Sequence, residues 1–332
     1  PERFFLFFPR CGYNGRRMER LLFLFLDGCG VGPAGADNPF LRAGCRFLPF
    51  WQGGLRLPDG TAVAAIDATL GIAGTPQSAS GQTALFCGAT AAALGNRHVN
   101  GYPDRPLRRV VAAGNLLSGL LRRGADARYL NAYPGHEELF TSAHVRIEPD
   151  GRLWFSREFP EPFRRRVSVT SCMLLASGQR PFSAADIRQG RALYQDYSNR
   201  SLIEAGLDLP RITPTQAARV LHGAARRYDF VLYEYFQTDL CAHRRSLEEC
   251  VTLVRDLDAL VGALLGRLDP VVDTLVLASD HGNLEEHGLR GHTRNPVPLV
   301  AWGKHGARLR KRIKSISDVT PAILELFELG DK

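Results

Sequence analysis

Lysine is almost missing from this chain. Only Lys304, Lys311, Lys314 and Lys332 occur among 332 residues, so arginine carries nearly all of a net charge of +8. The basic residues are scattered, apart from the triplet Arg164, Arg165, Arg166 and the stretch 308–314. No basic stripe interleaved with aromatics appears, which argues against a nucleic-acid partner. The cysteines (Cys11, Cys29, Cys45, Cys87, Cys172, Cys241 and Cys250) form no CxxC pair and leave one odd. That spacing argues against a disulfide framework and fits a reducing, cytoplasmic setting. No apolar run reaches the ~20 residues that span a bilayer, so no membrane role is expected. Internal repeats and low-complexity tracts are absent as well.

What is present is ample core material, with 45% hydrophobic residues, and a rhythm of alternating helices and strands. Apolar runs at 21–26, 127–132, 230–235, 274–279 and 295–303 read as strands. Helical patterns fall between them at 83–94, 116–123, 214–226 and 246–268, with a closing helix capped by Ser317 or Asp318. The alternation predicts an α/β fold, a mostly parallel sheet with helices on both faces. Residues 136–210 break the rhythm, with a hairpin turning at Pro149, Asp150 and Gly151 and a helix from about 184. They are expected to form a small α+β cap inserted between core segments 18–135 and 211–332. Residues 1–17, upstream of Met18, read as an extension outside the fold; their apolar run is too short for a signal peptide.

Acidic and imidazole side chains gather where the strands end. Asp27 follows the first strand, Asp239 and His243 the strand at 230–235, and Asp280 and His281 the strand at 274–279, with His292 twelve residues past Asp280. Ligands of such folds bind at the carboxyl ends of the strands. Three carboxylates converging there are unfavourable without cations. Two divalent ions would offset them and leave a slight positive excess for an incoming phosphate. Oxygen and nitrogen ligands without thiolate favour Mn or Zn, with Mg also possible. Thr83, at the expected N-terminus of the 83–94 helix, stands where helix N–H groups favour an oxyanion. By composition, Ser78 and Ser80 are equal candidates for a nucleophile.

These motifs resemble those of the alkaline-phosphatase superfamily, on its side nearest the cofactor-independent phosphoglycerate mutases and phosphopentomutases. Asp27-Gly28-Cys29-Gly30 matches the Asp-Gly-x-Gly after the first strand. Gly74-Thr75-Pro76-Gln77, three residues, then Gly81-Gln82-Thr83 matches the nucleophile loop, a register that selects Thr83 over Ser78 and Ser80. Asp239 and His243 match Asp-x-x-x-His, 279–283 match Ser-Asp-His-Gly-Asn, and 292–298 match His-Thr-x-Asn-Pro-Val-Pro. The resemblance implies one metal on Asp27, Thr83, Asp280 and His281 and another on Asp239, His243 and His292. It implies phosphoryl transfer from a small phosphorylated substrate. The mutases' active-site lysine has no counterpart, since no Lys precedes residue 304. The Cys-x-Pro-x-Arg signature of sulfatases is absent. The expectation is therefore a phosphatase acting through a phosphothreonine at Thr83, with a phosphomutase as the alternative.

Overall fold

The structure is a computed structural model that describes residues 19–289 and 291–328. The expected extension at 1–17 lies outside the described residues. The chain enters with β1 (Arg20–Leu26), then α1 (Pro39–Arg42), β2 (Ala64–Ile66) and α2 (Ser78–Cys87). Helices α3 (Arg105–Ala113) and α4 (Leu116–Arg122) lead to β3 (Ala127–Tyr129). The middle holds the hairpin β4 (Val145–Ile147) and β5 (Leu153–Phe155), then α5 (Glu161–Arg164), α6 (Val169–Ala176), α7 (Ala184–Arg188) and α8 (Arg200–Glu204). The rhythm resumes with α9 (Pro214–Arg227), β6 (Phe230–Tyr235), α10 (Gln237–Arg244) and α11 (Leu247–Leu265). Strands β7 (Asp273–Ala278) and β8 (Val297–Gly303) precede α12 (Gly306–Arg312) and α13 (Val319–Glu328).

Six strands form one sheet in the order β2-β8-β7-β1-β6-β3. The four strands β7, β1, β6 and β3 are mutually parallel, as expected. The β8 and β2 edge is antiparallel. The described residues of 279–296 contain only a short 3-10 turn (Leu284–Glu286) and no crossover helix to carry the chain back, so β8 starts from the end where β7 finished. Strand β1 alternates its side chains between two cores. Leu21, Phe23 and Phe25 pack on one face with Phe86 of α2. Leu22, Leu24 and Leu26 pack on the other with Tyr233 and Leu257. Among the described residues, no helix is long and apolar enough to cross a membrane.

Two local expectations need correction. The helix expected at 83–94 spans Ser78–Cys87 and stops at Gly88, whose φ of 65° is the left-handed conformation glycine tolerates. The Ser/Gly composition of 78–81 suggests a loop, yet it serves close packing. A Cβ on Gly81 would stand 2.7 Å from the Asp280 carbonyl oxygen, so the helix lies hard against the end of β7. The helix after 315 begins with a 3-10 turn capped by Ser315, ahead of both Ser317 and Asp318. Elsewhere the boundaries agree closely. Thr213 and Ser246 cap α9 and α11 through reciprocal bonds with Gln216 and Glu249.

The hairpin β4–β5 forms where its turn residues placed it, with Gly151 at φ 82°. Arg108 of α3 donates to the Gly151 carbonyl at 2.8 Å. The 136–210 segment gathers no core of its own among the described residues. Val169, Met173 and Leu174 join one face of the sheet, and Ile187, Leu193 and Tyr197 join the other.

Candidate metal centre and active-site cavity

The strand ends deliver their side chains to one place. Asp27 follows β1, Asp280 and His281 follow β7, and α10 carries Asp239 and His243 one helical turn apart. The loop after the 3-10 turn at Leu284–Glu286 brings in His292. His281 Nε2 lies 3.4 Å from Asp27 Oδ1 and 3.5 Å from Asp280 Oδ2. Asp239 Oδ1 lies 3.4 Å from His243 Nε2 and 3.7 Å from His292 Nε2. Two sets of possible ligand atoms come together, Asp239 with His243 and His292, and Asp27 with Asp239 and His281. Asp239 thus stands between the two groups.

The donor orientations suit cations. His292 Nδ1 lies 3.0 Å from the Pro76 carbonyl and His281 Nδ1 3.3 Å from that of Gly282. A carbonyl can only accept, so each Nδ1 carries a proton and each Nε2 is the ring atom turned to the cluster. Asp27 Oδ1 and Asp280 Oδ2 are buried without a hydrogen-bond partner. A buried carboxylate oxygen left alone costs several kcal/mol, and a cation removes that cost. The charges show the same shortage. Burial, with Asp280 beside it, pushes Asp27 well above the usual carboxylate range, and burial also raises Asp280. Burial would lower His281, but Asp280 and Asp27 hold it up to about 10. Burial and the neighbouring His281 push His292 down to about 4. Burial would raise Asp239 too, but the bond from His243 and the charge of His281 bring it down to about 2. The site has more negative charge than its imidazoles balance, and its donor set fits two divalent ions.

Thr83 is the exception among the sequence-predicted residues. Its side chain is fully buried, and its hydroxyl donates to the Ala79 carbonyl at 2.6 Å. It sits in the sixth position of α2, a turn and a half past the N-terminus, because the helix starts five residues earlier than expected. Ser78 occupies the first position instead. Its Oγ lies 3.0 Å from His281 Nε2 and it borders the cavity that Asp27, Asp239, His243 and His292 also line. It opens the helix together with Ala79, while the next N–H, that of Ser80, donates to the Val99 carbonyl at 3.3 Å. Ser80 Oγ is used in bonds with Gln77 O and Val99 N.

Other side chains here carried weaker signals. Gln82 donates to Asp27 Oδ2 at 3.3 Å. Asn283, the last residue of the Ser-Asp-His-Gly-Asn motif, bonds Asp239 Oδ1 at 2.7 Å and meets His243 Nε2 at 3.1 Å. Glu285 had no sequence signal. It ties three loops together, accepting from Gly30 N at 2.7 Å, Asn283 N at 2.8 Å, Asn295 at 3.0 Å and the Thr293 hydroxyl. The cavity beside the cluster has a volume near 570 Å³. Residues of 136–210 form much of its far wall, among them Phe140, Phe163 and Ser171.

A family model described as Metalloenzyme superfamily matches residues 212–331. A 2,3-bisphosphoglycerate-independent phosphoglycerate mutase of Ectopseudomonas mendocina (strain ymp) is 32% identical over 111 residues, 31% of this chain and 22% of that protein. A protein of the same description from Paracoccus denitrificans (strain Pd 1222) is 31% identical over 124 residues, 35% of this chain and 24% of that one. The chain spans about a quarter of the length of these curated relatives. Among solved structures, the alkaline phosphatase from the Antarctic bacterium TAB5 superposes with a TM-score of 0.51 at 12% identity, over 95% of this chain and 99% of that one. A Leishmania mexicana phosphoglycerate mutase gives 0.50 at 11% identity, over 97% of each. At such identities the likeness is one of fold.

Proposed function

We propose, on the premise that this chain belongs to the alkaline-phosphatase superfamily of metalloenzymes on its phosphoglycerate mutase side, that it hydrolyses small phosphate monoesters with Ser78 as the phosphoryl acceptor. The observation that carries this reading is the pair of unpartnered buried oxygens, Asp27 Oδ1 and Asp280 Oδ2, beside a serine at a helix N-terminus.

Asp27, Asp280 and His281 would hold one divalent ion and Asp239, His243 and His292 the other. Bound there, the ions would supply Lewis acidity to a hydroxyl and to phosphoryl oxygens. The chain's own groups do the rest. Ser78 Oγ stands to attack phosphorus in line, forming an O–P bond as the ester bond to the alcohol breaks. The positive end of the α2 dipole, with the backbone N–H groups of Ser78 and Ala79, would favour the oxygens that gain charge. Gln82 fixes the Asp27 carboxylate, and Asn283 fixes Asp239 between its two imidazoles. Water then cleaves the phosphoserine. Thr83, its hydroxyl engaged with Ala79, supports the helix.

Hydrolysis is favoured over isomerisation by the way the cavity is bounded. Its border includes the exposed residues His136, Arg166 and Arg244. A mutase must keep water out while the dephosphorylated intermediate reorients, which needs a closing domain. The 136–210 segment packs on both faces of the sheet and offers no separate body to close. The names of the curated relatives favour the second reading, phosphomutase. The two are separated by incubating protein loaded with Mn or Zn with phosphoglycerate or pentose phosphate in ¹⁸O-labelled water. Labelled phosphate released faster than any isomer supports hydrolysis. Clean isomerisation without phosphate release establishes the mutase.

A further inference from the structure

Strand β6 reads Phe-Val-Leu-Tyr-Glu-Tyr, and its one charged residue, Glu234, is only 5% exposed. In register it faces Phe25 of β1, so it lies on the same face of the sheet as Asp27, two residues beyond. Its position is held from several sides. Asn131 bonds both its backbone N–H and its carbonyl, at 2.9 and 2.8 Å. Thr170 donates to Oε2 at 2.9 Å, and the Tyr129 hydroxyl donates to the same oxygen. Oε1 accepts nothing from the described residues, and Glu234 borders the cavity that also reaches Asp27, Ser78 and His243.

The cavity therefore has two chemically different regions. One is the metal-ligand cluster with Ser78. The other is a carboxylate set among aromatic walls, where Tyr133 and Phe140 meet edge to face with ring centroids 4.9 Å apart. Arg166 and Arg244 border the cavity but are exposed, and neither pairs with Glu234. A ligand that put a carboxylate against Glu234 would set two carboxyl groups side by side, which is unfavourable whenever Glu234 is ionised. A ligand with an N–H or O–H donor there would give Oε1 the bond it lacks.

Resting on the phosphoryl transfer proposed above, we propose that Glu234 is the specificity group for the alcohol half of the substrate, which bears an ammonium or hydroxyl donor and no carboxylate. The aromatic walls cover the carbon skeleton, and also favour an ammonium through their ring faces. Burial pushes the Glu234 carboxyl up to about 7 despite its bonds from Tyr129 and Thr170.

The test uses the full chain loaded with Mn and four esters. Ethanolamine phosphate carries the ammonium, glycerol 1-phosphate hydroxyls without a carboxylate, 3-phosphoglycerate a hydroxyl together with a carboxylate, and p-nitrophenyl phosphate none of them. At least one of the two carboxylate-free donor esters should exceed 3-phosphoglycerate in kcat/KM by about tenfold or more, chiefly through KM. Glu234→Gln should collapse that ratio, and more for the ammonium than for the hydroxyl if the charge matters. In parallel, ethanolamine, glycerol and glycerate are titrated calorimetrically against the wild type and Glu234→Gln in the presence of inorganic phosphate. This arm needs no turnover, and the wild-type comparison stands even if the variant folds poorly. Tighter binding of glycerate than of either donor, or a ratio unchanged in Glu234→Gln, overturns the assignment. Failure to cleave p-nitrophenyl phosphate or any other ester counts instead against phosphoryl transfer, and leaves the calorimetric arm to decide the role of Glu234.

Discussion

The imidazole rings of His281 and His292 stack, with centroids 3.8 Å apart and planes 17° from parallel. One ring leaves β7 and the other arrives on the loop before β8, so the contact joins two ends of a single excursion of the chain. Stacked rings cannot both take up a second proton and become charged cheaply. The structure resolves this by holding His281 up to about 10, against its burial, beside Asp280 and Asp27, while burial and the neighbouring His281 push His292 down to about 4. Cations between these rings and the carboxylates relieve the same conflict, which motivates the first prediction.

Protein freed of metal by a chelator and then reconstituted should bind close to two Mn or Zn ions per chain. Elemental analysis gives the number, and the melting temperature should rise on reconstitution because only the folded state holds the ligands together. A stoichiometry near zero with no thermal shift rules out the metal centre.

The nucleophile assignment separates two neighbouring hydroxyls. Ser78→Ala should remove nearly all turnover while leaving the fold and metal content intact, since Ser78 is at the start of α2 beside the cavity. Thr83→Ala should cost roughly 1–2 kcal/mol of stability, from the lost bond to Ala79 and a small void, and keep most activity. Denaturant titration and steady-state rates check both. Full activity in Ser78→Ala alongside an inactive, well-folded Thr83→Ala restores the threonine.

Glu285 predicts a different kind of loss. Replacing it with Ala strands donors from Gly30, Asn283, Thr293 and Asn295 in a buried place. The cost should be about 2–5 kcal/mol, with metal affinity down roughly 10-fold to 100-fold because the three loops that present the ligands come apart. A chemical denaturation curve and a metal titration report the two effects separately. A stability unchanged within error shows that the loops hold without it.

Glu234 gives a pH signature. Its folded pKa, raised by burial to about 7, lies above the unfolded value of 4.5. The folded state then binds more protons between these values, so stability is greatest below the unfolded pKa and falls as pH rises through 7. Measured between pH 5 and 8, the melting temperature of Glu234→Gln should fall less steeply than that of the wild type. Parallel curves would mean that Glu234 titrates normally.

The strands, and the gathering of acidic and imidazole side chains at their ends, were legible in the sequence because their signals are local. Apolar runs such as Leu21 to Leu26 are covered on both faces, and a carboxylate immediately after such a run belongs at the end of a parallel strand. The i, i+4 spacing of Asp239 and His243 needed only a helix, and α10 supplies it. Tertiary structure decided what depends on distant partners. Helix α2 begins at Ser78 because small residues let it approach the Asp280 carbonyl, a contact that propensity cannot see. That shift of five residues exchanged Thr83 for Ser78 beside His281. Glu285 and Glu234 were likewise invisible, since a lone glutamate carries no pattern until the donors from loops and strands far away in sequence close around it.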